Sequence, residues 1–481
     1  MDRGELLRRT AGLADAFLAG IDERPVGRPV DLAALREAMG GPLPAQGEDA
    51  LAVVEGLARS ADSGIVASAG PRYFGFVVGG SQPAALAADW LTSAWDQNAG
   101  LFALSPAAAV AEEVAERWLV DLLGLPAGTS CGFTTGATMA NFTALAAARN
   151  AVLKTVGWDV EEQGLFGAPA INVVVGDEAH VTIFVSLQML GLGRGRVHRV
   201  AADGQGRMRV DALQATLDGL DGPTIVVAQA GNVNTGAFDP LPEIVDVVRE
   251  HGGWLHVDGA FGLWAAASPG LRDRVAGLDL ADSWTTDAHK WLNVPYDSGL
   301  VFSREAAAHR TAMTLGAAYY VETEGAERDP YNWVAESSRR ARGFALYAAL
   351  RSLGRTGLAD LLDRCCAHAR RFADLLGGHP GVTILNDVVL NQVLVRFAPP
   401  SPAPGRPAID DAAIDAFTRD VIGRVQADGT CWLGGTTWHG TAAMRISVSS
   451  WATTEADVQR SADAILRCAT EAAQAMQPAP V

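Results

Sequence analysis

Two residues in the middle of the chain have types and a spacing that suit covalent catalysis. Lys290 lies in the segment TTDAHKWLNVPYDSG, which contains little other positive charge. A lysine amine becomes a nucleophile when burial or a neighbouring charge lowers its pKa, so Lys290 is a candidate nucleophile. Asp258 ends the apolar run WLHVD, about one strand-helix-strand unit before Lys290. Taken alone, Asp258 suits a helix cap or an ion pair, but a lysine and an acid at this spacing suit an electron-sink cofactor.

Two further segments could bind parts of a ligand. In CGFTTGATMANFTALAAARN, small and hydroxylated residues precede a helix predicted to start near Thr138. Backbone N–H groups converge at a helix N-terminus, which favours a phosphate, although the same residues also suit ordinary helix capping. His180 follows the apolar run INVVV in the segment GDEAHVTIF. It could stack on a planar group, pair with a carboxylate or be purely structural.

The elements that must position these residues form a parallel sheet wrapped by helices. From about residue 100 to 305, short apolar runs alternate with helical periods. The clearest predicted strands are INVVVGDEAH, TIVVAQAG, WLHVDGAFG and GLVFSR. In such sheets ligands bind at the carboxyl ends of strands. We predict a helical N-terminal arm over 1–75, a large cofactor-binding domain over 76–345 and a small α+β domain over 346–481.

Composition excludes several classes of function. The 481 residues carry a net charge of −17, which disfavours nucleic acid and anionic membranes as partners. No apolar run reaches the roughly 18 residues of a membrane span, and the N-terminus lacks a signal-peptide pattern, so a cytoplasmic location is expected. The five cysteines show no paired spacing, which argues against disulfides. Cys365, Cys366 and His368 share one predicted helix without a partner cluster, so no metal site is expected.

Four segments resemble, in order and spacing, the pyridoxal-5′-phosphate-dependent group II decarboxylases, which include aromatic amino acid, glutamate and diaminobutyrate decarboxylases. They are TTGATMANFTALAAAR, GDEAH, HVDGAFG and TTDAHKW, within a match that spans about residues 70 to 465. The resemblance implies an α/β fold of the aspartate-aminotransferase (type I) kind, with a large, mostly parallel seven-stranded sheet, a small C-terminal α+β domain and an N-terminal helical arm. It also implies pyridoxal 5′-phosphate as cofactor, an amino acid substrate and a homodimer with shared active sites.

The resemblance further implies roles for individual residues. Lys290 would form the Schiff base with the cofactor, Asp258 would pair with the pyridine nitrogen, and His180 would stack on the ring. Tyr319, favoured over Tyr320 in the loop LGAAYYVETEG, would protonate the carbanion. The remaining implied residues are the phosphate contacts Gly136, Ala137, Thr138 and His289, the ring contacts Ala260 and Asn234 (with Asn232 as the alternative), and the substrate contacts Phe76, Phe102 and Arg445.

The implied reaction is decarboxylation of an L-amino acid to its amine through an external aldimine and a quinonoid. Aldehyde synthesis, transamination and carbon–carbon cleavage are alternatives, and the loop tyrosine favours simple decarboxylation. More distant alternatives are a non-catalytic binding protein and a serine hydrolase at Ser130, whose segment GTSCG lacks the strand-then-helix context of a nucleophile elbow. The pair Asp287-Ala288 stands where the family usually has Asn-Pro, which puts an acid near the phosphate. The substrate itself does not transfer, because the pocket segment PRYFGFVVGG is less bulky than in aromatic-specific members.

Overall fold

The computed structural model describes residues 2–27, 29–314, 327–400 and 409–476. Its contacts divide the chain into two compact units. The first unit comprises Met1–Phe76, Arg371–Leu385 and Leu394–Val481, and the second comprises Val77–Arg370 and Asn386–Val393. The division into an arm and two domains at residues 75 and 345 stays a prediction.

The described ranges contain helices and strands in the following order. The helices are α1 (Arg3–Ala19), α2 (Leu32–Met39), α3 (Ala50–Ala61), α4 (Pro83–Trp95), α5 (Pro106–Leu122), α6 (Ala137–Lys154), α7 (Val160–Gln163), α8 (Val181–Met189), α9 (Val210–Leu217), α10 (Leu241–Glu250), α11 (Ala306–Met313), α12 (Gly343–Gly377), α13 (Asp411–Asp428) and α14 (Glu455–Ala475). The strands are β1 (Ser130–Thr134), β2 (Asn172–Gly176), β3 (His198–Val200), β4 (Thr224–Gln229), β5 (Trp254–Asp258), β6 (Ser283–Asp287), β7 (Gly299–Ser303), β8 (Val382–Ile384), β9 (Gln392–Phe397), β10 (Gly434–Trp438) and β11 (Thr441–Ser447). Helix α12 is interrupted at Gly354, where φ is 59°.

The second unit is built on a seven-stranded sheet with the strand order β1-β7-β6-β5-β4-β2-β3. Strands β2 to β6 pair in parallel, and β7 runs antiparallel to both of its neighbours. Every residue of β4 and β5 is buried, as expected for strands that helices cover on both faces. The predicted α/β fold with a mostly parallel seven-stranded sheet is therefore confirmed.

Helix α6 is a largely buried helix that packs against the seven-stranded sheet. It follows β1 and packs against α8, α11, β6 and β7. Its sequence ATMANFTALAAARNAVLK is rich in alanine, and small side chains let a helix approach its neighbours closely. Leu145 of α6 packs with Val173, Ile183 and Val227 in one apolar cluster. Because 12 of its 18 residues are buried, polar side chains on its buried faces must find hydrogen-bond partners inside the protein.

The first unit contains a four-stranded sheet in the order β10-β11-β9-β8. Helices α13 and α14 pack on each other, and α13 also packs on β11. The predicted small C-terminal sheet with a closing helix is thus present. In this unit the Trp432 ring stacks on Tyr73 and Phe76, with centroids 5.2 and 5.8 Å away.

Within the described part of the chain, no helix is both long and apolar enough to cross a membrane. The same residues contain no group of three or more histidine, cysteine, aspartate or glutamate side chains arranged to hold a metal ion.

Candidate active site

Asp258 ends one strand, and Lys290 lies just beyond the carboxyl end of the adjacent parallel strand. In the pairing of β5 with β6, Asp258 is opposite Thr285, and Lys290 follows in the turn after β6. The side chain of Lys290 is 20% exposed, and its Nζ lies 3.0 Å from Asp287 Oδ2. A Cβ atom at Gly79 would lie 1.6 Å from the Lys290 carbonyl oxygen, so only glycine allows the chain to pass here. The lysine is therefore held in a packed turn with its amine next to a carboxylate.

Asp258 is a buried carboxylate whose two oxygens meet different donors. Its Oδ1 accepts the backbone N–H of Ala260 at 3.2 Å. Its Oδ2 accepts the side-chain amide of Asn141, an α6 residue, at 3.3 Å. Only 4% of the residue surface is exposed, so these contacts, and not water, orient the carboxylate.

The predicted phosphate turn lies where β1 ends and α6 begins. The N–H of Ala137, the first residue of α6, donates to Asp287 Oδ1 at 2.6 Å. A Cβ atom at Gly136 would lie 3.2 Å from His289 Cε1 and 3.5 Å from Asp287 Oδ1. Asp287, the acid expected near the phosphate, therefore contacts both the first turn of α6 and Lys290.

His289 borders the same turn as a buried, neutral ring. Burial lowers its pKa, and the charge of Lys290 adds to this effect, while Asp287 opposes it. The N–H of Ser298 donates to His289 Nδ1 at 3.1 Å, so the proton of the neutral ring is on Nε2. The ring also stacks on Tyr296, with the two centroids 4.3 Å apart. His289 is thus an N–H donor at the edge of the turn.

His180 is the residue that precedes α8 and caps it. Its Nδ1 accepts the N–H of Thr182 at 3.4 Å and lies 2.8 Å from Thr182 Oγ1. The same hydroxyl oxygen accepts the amide of Asn141 at 3.4 Å. Asn141 therefore contacts both the Asp258 carboxylate and the residue that orients His180.

The other predicted site residues lie in different surroundings. The N–H of Asn234 donates to Asn232 Oδ1 at 2.8 Å, within one partly buried turn of the second unit. Phe102, in the same unit, is partly buried, and its N–H donates to Asp329. Phe76 belongs to the first unit, with φ at 54° and its ring exposed.

Arg445 and the loop tyrosines complete the predicted set. Arg445 lies on β11 of the first unit, where burial lowers its pKa. Tyr319 and Tyr320 lie outside the described residues. The role of the loop tyrosine therefore stays a prediction.

Ser130 does not have the geometry of a hydrolase nucleophile. It is the first residue of β1, whereas a nucleophile elbow joins the end of a strand directly to a helix. Its Oγ lies 2.9 Å from His309 Nδ1, but His309 Nε2 meets the backbone carbonyl of Trp333 and not a carboxylate. Both side chains are buried.

Asn141 is the site residue that the sequence analysis missed. It lies one turn into α6, is fully buried, and contacts Asp258, His256, Thr285 and Thr182. The available signal was an amide within an alanine-rich, enclosed helix, since such a group must be hydrogen-bonded. Its partners come from β5, β6 and α8, and only the folded sheet brings them together.

Comparison with known proteins identifies the family. The family model for the pyridoxal-dependent decarboxylase conserved domain matches residues 33–398. The aromatic-L-amino-acid decarboxylase of Bacillus atrophaeus is 28% identical over 79% of this chain and 78% of that protein. The L-2,4-diaminobutyrate decarboxylase of Rhizobium meliloti (strain 1021) is 35% identical over 65% of this chain and 62% of that protein. The crystal structure of Oryza sativa TDC with PLP and tryptamine superposes with a TM-score of 0.89 at 23% identity, covering 97% of each chain.

The chain therefore belongs to the pyridoxal-dependent decarboxylase family. It is a carboxy-lyase that uses pyridoxal 5′-phosphate to decarboxylate an amino acid. The residues present suit this cofactor, which carries an aldehyde, a pyridine nitrogen and a phosphate. The site offers an amine at Lys290, a buried carboxylate at Asp258 and a turn at Gly136 in which a side chain would press on His289. The predicted family and cofactor are confirmed.

Proposed function

We propose that this chain converts an L-amino acid to the corresponding amine and carbon dioxide, with Lys290 and Asp258 as the residues that engage the cofactor. The observation that carries the proposal is their placement at the carboxyl ends of adjacent parallel strands, with Asp258 as the last residue of β5 and Lys290 in the turn after β6. Bound pyridoxal 5′-phosphate supplies the electron sink that stabilises the negative charge left on the α-carbon when carbon dioxide departs. The protein must hold this group, orient the substrate carboxylate and control one proton.

Lys290 would bind the cofactor aldehyde through its amine, and the Asp287 carboxylate would hold that amine in position. The Asp287 carboxylate contacts Lys290 Nζ and the first N–H of α6 at the same time. This keeps the amine beside the turn of Gly136, Ala137 and Thr138, which would hold the phosphate together with His289. An anion near a helix N-terminus is stabilised by the N–H groups there. Because Asp287 accepts the Ala137 N–H, a phosphate would use the other N–H groups of this turn or displace the carboxylate.

Asp258 would hold a proton on the pyridine nitrogen, because a buried carboxylate stabilises a positive charge beside it. His180 would stack on the ring, Ala260 would pack below it, and Asn234 would contact its hydroxyl. Tyr319, or a water that it positions, would return a proton to the α-carbon. Phe76, Phe102 and Arg445 would contact the substrate.

A homodimer with shared active sites is part of the proposal. All of α1, α2 and α3 is described, and none of its side chains is buried. Leu7, Leu18, Val53 and Leu57 are exposed on these helices. An arm that exposes apolar side chains on successive helices suits a partner surface. A sedimentation experiment that finds a fully active monomer would exclude the shared site.

The first experiment traps the cofactor on the protein with borohydride. The chain contains two lysines, Lys154 and Lys290, so the label has few possible positions. Intact-mass measurement should show one cofactor adduct on the wild type and none on Lys290→Ala. Lys154→Arg is the matched control, because Lys154 is the exposed last residue of α6, and it should keep the adduct. An adduct that persists in Lys290→Ala would overturn the assignment of Lys290.

The second experiment identifies the reaction and the substrate. The loaded enzyme is incubated with individual L-amino acids, and the products are identified by mass spectrometry. Decarboxylation predicts the amine that lacks carbon dioxide. Aldehyde with ammonia and peroxide would show instead that the site runs an oxidative reaction, and a keto acid would show transamination.

A further inference from the structure

A line of buried hydrogen bonds runs from the interior of the sheet to Asp258. Trp254 Nε1 donates to Ser283 Oγ at 2.9 Å, and Ser283 Oγ lies 2.9 Å from His256 Nδ1. His256 Nε2 lies 2.9 Å from Asn141 Oδ1, and Asn141 Nδ2 donates to Asp258 Oδ2 at 3.3 Å. All five residues are buried, so water does not compete for these contacts.

The chemistry of the groups fixes the direction of each bond. A carboxylate only accepts, so the Asn141 atom that faces Asp258 is the amide nitrogen. Asn141 Oδ1 then faces His256 Nε2, which must carry a proton. Burial lowers the pKa of His256 to about 3, so the ring is neutral and its Nδ1 is free to accept the hydroxyl proton of Ser283. Trp254 Nε1–H only donates, and it meets the Ser283 oxygen.

This order prevents the Asn141 amide from turning over. A flipped amide would place its oxygen against the Asp258 carboxylate, and the two oxygens would repel each other. It would also point its NH2 group at His256 Nε2–H. Thr285 Oγ1 donates to the same Asn141 Oδ1 at 2.8 Å, which reinforces the observed orientation. The donors of His256 and Thr285 to Asn141 Oδ1 therefore keep the side-chain N–H of Asn141 directed at Asp258.

We propose that Asn141 and His256 are positioning residues that hold the Asp258 carboxylate in the orientation it needs toward the cofactor. The inference rests on the role proposed above for Asp258. An N–H donor stabilises the negative charge of a carboxylate and fixes its plane. The residues act through Asp258, so their loss should change how the cofactor is bound and how it absorbs light.

The test replaces one group on Asn141. In Asn141→Asp an oxygen stands where the NH2 group faced Asp258, with almost no change in size. We expect the Kd for pyridoxal 5′-phosphate to rise by about 10-fold to 100-fold, the value of a hydrogen bond to a charged group. The visible absorption band of the loaded protein should also change in position or intensity. Both quantities are measured by titrating cofactor-free protein, and the Tm of that protein is recorded in parallel.

Asn150→Asp is the matched control. Asn150 lies on the same helix, is buried, and donates its amide to a carboxylate oxygen of Glu161. The same chemical change occurs there away from Asp258, so the Tm should fall while the Kd and the absorption band stay as in the wild type. If Asn141→Asp matches Asn150→Asp in Kd and absorption, the proposal is wrong.

A milder variant tests the far end of the line. Ser283→Ala removes the hydroxyl that orients His256 and introduces no charge, and it should raise the Kd by about 2-fold to 10-fold. This variant decides the question if Asn141→Asp does not fold, and an unchanged Kd in it would then overturn the proposal. Asp258→Asn separates the two levels of inference. If Asp258→Asn leaves the Kd and the absorption unchanged, the proposed role of Asp258 is wrong. If Asp258→Asn changes them and the Asn141 and Ser283 variants do not, only the positioning role is wrong.

Discussion

Two buried serine–histidine pairs in the second unit look alike but end in different places. In both, a serine Oγ lies 2.9 Å from the Nδ1 atom of a fully buried imidazole, at Ser283–His256 and at Ser130–His309. Burial lowers the pKa of His256 to about 3 and that of His309 to about 4, so both rings are neutral near pH 7. The Nε2 atom of His309 meets the carbonyl of Trp333, whereas that of His256 meets Asn141 and, through it, Asp258.

The difference shows that the group at the end of a series of hydrogen bonds decides whether that series can affect a bound ligand. A backbone carbonyl cannot change its charge or bind a ligand once it is enclosed, so the His309 pair ties β1 to neighbouring segments. The Asp258 carboxylate at the end of β5 can contact a ligand, so the Ser283–His256 pair can influence how that ligand is bound. The similarity of a serine–histidine contact to a catalytic pair is therefore no evidence for hydrolysis.

The largest effect should come from Asp258, the carboxylate to which the Ser283–His256 pair is connected through Asn141. Asp258→Asn keeps the size of the side chain but removes the charge that would hold a proton on the pyridine nitrogen. We expect kcat to fall by about 100-fold to 1000-fold, as when one charge-stabilising group is lost from an active site. Steady-state rates of amine formation measure this, with Asn150→Asp as a control. A kcat within about 3-fold of the wild type would remove the distinction between the two lines.

A parallel change in the two rings should separate structure from function. His256→Phe and His309→Phe each leave buried polar partners unsatisfied, at about 1 to 3 kcal/mol of stability per unpaired group. Thermal unfolding of the cofactor-free proteins should show a lower Tm for both. Only His256→Phe should also raise the Kd for the cofactor, by about 10-fold. An equal rise in His309→Phe would mean that the two pairs do not differ as described.

Lowering the pH should destabilise the folded protein through both histidines. Each histidine has a folded-state pKa below its ordinary value near 6.5, so the unfolded chain binds a proton first and stability falls as the pH drops. From pH 7 to pH 5 we expect a loss of about 2 kcal/mol per ring. The loss continues below pH 5 and levels off as the pH falls through about 4 for His309 and about 3 for His256. Denaturant unfolding of the cofactor-free protein measures the loss. His309→Phe should lose about 2 kcal/mol less than the wild type; an identical loss would contradict the assignment.

The smallest effect should come from Ser130→Ala. It removes one neutral hydroxyl that contacts His309 and the carbonyl of Ser303, which is worth about 1 kcal/mol. Amine formation should stay within 2-fold of the wild type, while the Tm falls slightly. A 10-fold loss of activity would instead give Ser130 a role in the reaction.

Much of the fold was predictable because strands and helices have distinct periods. The runs INVVV, TIVVAQ and WLHVD form strands, since buried parallel strands read as continuous apolar stretches, and the buried run GLVFS forms the antiparallel strand β7. The order of the strands and the reversal of β7 were not predictable, because pairing joins segments far apart in the chain. The predicted phosphate turn does lie at the N-terminus of α6, but the bond between Ala137 and Asp287 was visible only after folding.

By itself, the sequence determined the chemistry available: a lysine after a strand, an acid at the end of another, a glycine turn before a helix, and motifs specific enough to indicate the family. Only the tertiary structure decided which polar groups support Asp258. Asn141, His256 and Ser283 come from α6, β5 and β6, and a hydrogen bond requires contact within about 3 Å that no sequence spacing specifies.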